Sequence, residues 1–253
     1  MIAILSPAKS LDYENEGFKA TASPSFNKKS LQLISILKEK NIDDLRNLMH
    51  ISEKLATENY DRYQNFSTRC TTKNSKAAIS AFVGDVYVGF DAQNLSQNDI
   101  DYANDHVRIL SGLYGILKPL DKMQPYRLEM GTKLSNNEGK NLYEFWGNHI
   151  TKQLNKDLKN IGSRTLINLA SNEYFKAIKK DELKADIINI GFKEYKGDQL
   201  KFISFNAKKA RGYMARYIVQ NQIEDVEGLK GFDTDRYRYD ESLSTQGELM
   251  FVR

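Results

Sequence analysis

The chain has 253 residues, 40% apolar and 11% aromatic, with 37 Lys and Arg against 33 Asp and Glu and a formal net charge of +4. This composition supports a folded core and excludes a disordered chain, and no run of about 18 apolar residues is present to span a membrane. Cys70 is the only cysteine, so the chain can form no internal disulfide and fits a reducing, cytoplasmic location. His50, His106 and His149 share no metal-ligand spacing, so neither a metal nor a cofactor is assigned.

The start, MIAILSPAKSLDYE, has no basic n-region and reads as a buried first strand rather than a signal peptide. Residues 11–27 carry Gly17 and Pro24 and read as an extended loop. From Lys28 to about Tyr63 the apolar spacing is helical, broken into two helices at Asn41. AFVGDVYVGF (81–90) mixes β-branched and aromatic residues around two glycines and reads as a strand or a tight bend. Ser96 caps a helix predicted through Leu110, with Asp99 three residues on. Residues 141–159 read as one helix and 165–171 as a short apolar strand. The segments before and after Lys196-Gly197-Asp198 read as a β-hairpin. A helix follows from about Asn206 to Asn221, and GELMFVR closes the chain as a strand. The pattern predicts one mixed α/β domain over residues 1–253. It is not Rossmann-like, because neither GDVYVG nor GLYG has the spacing of a dinucleotide fingerprint.

Three groups of residues carry the candidate chemistry. In LSGLYGILKPLDKMQPYRLEMG (110–131), a helix ending at Leu110, a glycine hairpin and a new helix at Ile116 would form a helix-hairpin-helix. Gly112, Tyr114 and Gly115 would then bring the backbone to a phosphate, with Lys118 adding charge. The alternative is a plain glycine-bearing connection. The second group lies in the stretch from Gln199 to Ile223, which contains no acidic residue. There Lys208, Lys209, Arg211 and Arg216 fall outside the apolar face of a helix. They form either a solvated surface or, since no acid balances them, an anion-facing one. In the third group, Lys9 follows the first strand and Glu173 follows another, while Arg127 and Glu129 share an extended segment. These four form either a catalytic pocket at the carboxyl ends of strands or a structural ion-pair network.

Seven segments together resemble the bacterial YaaA family of peroxide-stress-resistance proteins. They are ILSPAKSLDY, GDVYVGF, LSGLYGILKPLDKMQPYRLEMG, LYEFWG, INLASNEYFK, ISFNAKKARGYMARYI and GELMFVR. The resemblance runs from Met1 to Arg253. It implies a cytoplasmic protein that limits iron-driven DNA damage, with an α/β fold of unusual topology and a positively charged cleft. It also implies a helix-hairpin-helix, carried here by Gly112, Tyr114, Gly115 and Lys118, and binding to double-stranded DNA largely independent of sequence. No catalytic residue is carried over.

Two readings result. One is a DNA-binding protein of the peroxide response that uses the hairpin and the basic helix. The other is an enzyme acting on DNA or a nucleotide-like substrate through Lys9, Arg127, Glu129 and Glu173. An iron-binding reading has only scattered carboxylates to rest on. Convergence of those four residues with the 206–216 helix on one cleft would favour the enzyme.

Overall fold

β1 (Ile2–Leu5) is apolar throughout and all four residues are buried, as a parallel strand covered on both faces requires. The computed structural model describes residues Met1–Arg253. After β1 come β2 (Ser10–Leu11), α1 (Asn27–Lys38), α2 (Ile42–Met49) and α3 (Glu53–Gln64). Short pieces follow: β3 (Lys76–Ala77), α4 (Ala78–Ala81), β4 (Phe82–Val83) and α5 (Asp85–Phe90). Next are α6 (Gln97–His106), β5 (Val107–Ser111), β6 (Gly115–Leu117) and β7 (Lys122–Met123). The second half holds α7 (Leu142–Trp146), α8 (His149–Asn160), β8 (Thr165–Asn168), α9 (Asn172–Phe175), β9 (Asp186–Lys196) and β10 (Gln199–Lys201). It ends with α10 (Ser204–Gln220), α11 (Val226–Leu229), β11 (Arg238–Thr245) and β12 (Glu248–Val252).

The main sheet runs β11-β12-β9-β8-β1-β5-β6, with β10 paired to the far end of β9. The five central strands are mutually parallel, and β6 and β11 are antiparallel edges. α6 packs on β1 and β5, while α10 packs on α5, α6 and β9. One continuous core of 65 buried residues joins all of this, so the protein is a single mixed α/β domain. The turn after β1 is Ser6-Pro7-Ala8-Lys9, which carries no dinucleotide fingerprint.

The first strand, the β9–β10 hairpin, the basic helix and the last strand lie where the sequence predicts them. Other elements differ, each for a physical reason. The helical stretch up to Tyr63 is three helices, because His50 takes a left-handed conformation and Ser52 caps a new start. The helix begun by Ser96 ends at His106, and Val107 and Leu110 belong to β5. Their helical spacing is accidental: β5 is buried at all five positions, with Arg108 paired to Asp157 at 2.6 Å and Ser111 bonded to the Tyr126 hydroxyl. GDVYVGF is mostly the helix α5, and the helix of 141–159 is split at Gly147.

GLYG is the largest correction. Its flanks are β5 and β6, paired antiparallel from Ile109–Leu117 to Ser111–Gly115. The helix-hairpin-helix expected there is therefore a β-hairpin. Gly112, Tyr114 and Gly115 are buried and meet protein, not a phosphate. A side chain on Gly112 would come within 2.2 Å of the Leu128 carbonyl oxygen. One on Gly115 would come within 2.7 Å of the Trp146 ring, and Gly115 has φ +70°. The Trp146 indole N–H donates to the Gly112 carbonyl at 2.9 Å. Gly115 makes room for a tryptophan and Gly112 for the Leu128 backbone.

Candidate functional site

β1 leads to β5 on one side of the sheet, yet β8 pairs with β1 on the other. The chain therefore reverses direction across the sheet at β1 and β8. A crevice opens outside the carboxyl ends of strands at such a point, where open α/β sheets place ligands. Here the Ser171 backbone N–H donates to Ser6 Oγ at 2.8 Å, and the Ser6 hydroxyl to Ser171 Oγ at 3.2 Å. The Tyr87 hydroxyl donates to the Ser6 carbonyl at 3.0 Å and ties α5 to the same turn. The crevice holds a cavity of about 290 Å³ whose polar lining includes Lys9, Asp85, Ser171, Glu173, Lys208 and Arg211.

The sequence's four pocket candidates do come together. Lys9 Nζ lies 2.7 Å from Glu129 Oε2, and Arg127 Nη2 donates to Glu129 Oε1 at 3.2 Å. Glu173 Oε1 accepts the Gly131 backbone N–H at 2.9 Å. Lys9, Arg127 and Glu129 are thus an ion-paired chain, and Glu173 is fixed to the same segment. Lys9 and Glu173 line the cavity itself.

Arg211 enters the cavity from α10. Helix α10 can reach it because it crosses α5 at two glycines: a side chain on Gly212 would meet the Val86 carbonyl at 1.9 Å. One on Gly89 would meet the Lys209 carbonyl at 2.2 Å. Arg211 makes no hydrogen bond or ion pair, and its Nε is buried without a partner. Burial lowers its pKa from the ordinary value, yet a guanidinium keeps its charge in a protein. An uncompensated buried cation is costly, and a bound anion would remove that cost. Lys208, exposed and in no ion pair, lines the same cavity.

The remaining candidates lie elsewhere. Arg216 is used within the protein: it donates to the carbonyls of Phe90, Asp91 and Asn94 and pairs with Asp91 at 3.2 Å. It holds the end of α5 and is not free for a phosphate. Lys209 sits over the Tyr213 ring at 5.5 Å and does not line the cavity. Lys118 follows β6, which runs antiparallel to β5, so it stands at the opposite end of the sheet, 3.9 Å from Asp105. The sequence reading missed Ser6, Ser171 and Asp85. Ser6 and Ser171 carried a signal of position, each following an apolar strand; Asp85 carried none, because its segment reads as a strand or a tight bend and is in fact the start of α5.

The segments that meet at this cleft, SPAK, GDVYVGF, LASNEYFK and NAKKARG, are among those that carried the family resemblance. A match to the peroxide stress protein YaaA family covers residues 1–243. The chain belongs to that family. A UPF0246 protein of Saccharophagus degradans is 52% identical over 254 residues, covering all of this chain and 99% of the relative. One from Aliivibrio fischeri is 53% identical, over all of this chain and 98% of its own length. A third, from Teredinibacter turnerae, is 51% identical over all of this chain and 99% of its own length. The family's description places the protein in the response to peroxide. No helix is long and apolar enough to cross a membrane.

Proposed function

We propose that the protein serves the peroxide response in the cytoplasm by binding DNA through a phosphate in this cleft, and so limits iron-driven damage to DNA. The observation that carries the reading is Arg211, a cation without a partner beside unpaired Lys208 in the crevice between β1 and β8. A guanidinium and an ammonium on one helix suit a phosphate, which presents charge and several acceptors. Contacts of this kind read the sugar-phosphate backbone, so binding to double-stranded DNA is largely independent of sequence. The test is titration of a labelled duplex against the native protein and Arg211→Met. The reading requires binding at low salt that the substitution weakens; equal affinity of the two proteins would defeat it.

A second reading is favoured by Lys9 and Glu173 lining the cavity with Arg211, with Glu129 paired to Lys9 and to Arg127 behind them. In it the bound phosphate belongs to a substrate, DNA or a nucleotide-like molecule, and these side chains move its protons. Lys9→Ala should then abolish protection of cells against peroxide while leaving the fold and DNA affinity intact. Normal protection by that variant would remove Lys9 from the chemistry and leave binding alone.

A further inference from the structure

We infer that the protein also has a subsite for an unpaired nucleobase, in a second cavity that shares Arg211 with the cleft; this rests on the phosphate reading above. The second cavity measures about 280 Å³ and lies along β9 and β12. The extended segment leaving β8 is the partition between the two. Up to Ser171 its side chains alternate, as in an extended chain: Leu169 and Ser171 face the cleft, Asn168 and Ala170 the second cavity, and at the start of α9 Glu173 lines the cleft and Asn172 the second cavity. Arg211 borders both.

The linings differ in kind. The second cavity presents the Glu248 carboxylate, Lys193, the ring of Phe202 and the amides of Asn168 and Asn189. Asn168 donates to Asn189 Oδ1 at 2.9 Å and Asn189 to the Gly247 carbonyl at 3.2 Å, so that each NH2 group keeps one hydrogen for a ligand. Donors and acceptors of both signs suit a neutral polar heterocycle better than a second phosphate. A carboxylate accepts from an exocyclic amino group, and amides pair with a base edge in either sense. Phe202 lies in the link between β10 and α10, 59% exposed, and no other aromatic ring packs on it. A large apolar ring left in water at the rim of a polar cavity is a stacking surface for a base. A base kept in a duplex stack cannot enter so small a space, so the occupant is a nucleotide out of the stack, its phosphate on Arg211.

The test compares two labelled strands of equal charge and about twelve nucleotides, within the span of known single-strand sites. One is all thymine and the other carries abasic residues throughout. The native protein should prefer the base-bearing strand by about tenfold or more, the effect of one stacked base. Phe202→Ala should remove that preference and leave affinity for the abasic strand unchanged, while Phe202→Trp should retain it. Because Phe202 is exposed, its melting temperature should not move. If it falls, the Trp variant decides: loss of preference there overturns the subsite. Equal native affinity for both strands would refute the base subsite and leave the phosphate reading intact. A preference that survives Phe202→Ala would also overturn it. If neither strand binds, and duplex does not, the phosphate reading fails and takes this inference with it.

Discussion

Arg211 is a residue whose placement opposes stability unless something else benefits. Its guanidinium is mostly withdrawn from water with no acid to meet it. Arg211→Met keeps an unbranched apolar stem, shorter than that of arginine, and removes the charge. DNA affinity should fall by about 10–100-fold, the range for a charge-assisted hydrogen bond, while the melting temperature holds or rises. A drop in both would mark Arg211 as structural. Asp121 makes the same point with a carboxylate. It is buried, and burial pushes its pKa up from 3.8 to about 6, although its Oδ2 accepts the Lys118 backbone N–H at 2.8 Å. A raised carboxyl pKa gives stability that is complete below the unfolded value and is lost as pH rises through the folded one. The loss falls between about pH 4 and pH 6 and corresponds to about 3 kcal/mol. Asp121→Asn retains an acceptor for Lys118 and lacks the charge. Denaturant unfolding at several pH values should show the native curve falling across that window relative to the variant. Parallel curves would count against it.

At the scale of elements, two close approaches built on glycine set the shape of the site. Helices α5 and α10 cross where Gly89 and Gly212 leave backbone against backbone, and this crossing brings Asp85 and Arg211 to one cavity. Gly212→Ala should lower stability by about 1–3 kcal/mol through overpacking and weaken DNA binding in the same variant, because α10 must move to admit the methyl group. Unchanged affinity with lowered stability would mean that α10 does not position the ligand. The β5–β6 turn gives the opposite expectation. Gly115→Val would press on Trp146 from a left-handed backbone conformation, so it should cost about 3 kcal/mol or more. Any loss of DNA binding should track loss of fold. A stable Gly115→Val protein with lost affinity would restore the hairpin as a contact.

For the whole molecule, the charge that matters is the charge left unpaired after folding. If Lys118, Lys208, Lys209, Arg211 and Arg216 all met phosphates, log K would fall against log salt with a slope of about −4.5. Of these five, only Lys208 and Arg211 line the cleft, so the slope should be about −2; a steep slope near −4.5 would place the DNA across a wider surface. By itself the sequence determined those features that depend on neighbours in the chain. Ile2–Leu5 is a strand because every residue is apolar, Ser96 starts a helix through its reciprocal bonds with Asp99, and Lys196-Gly197-Asp198 turns a hairpin at a glycine with φ +62°. It also located Lys9 and Glu173, because both follow the carboxyl ends of apolar strands. Tertiary structure decided the rest. The acid-free run from Gln199 to Ile223 is balanced from afar at one position, by Asp91 on Arg216. The pair in GLYG faces Trp146 and Leu128, which lie outside the motif. Local sequence could not separate the arginine that holds α5 from the one left without a partner: Arg211 and Arg216 lie five residues apart on one helix, and only the packing of α10 on α5 gives one of them carbonyls and the other a cavity.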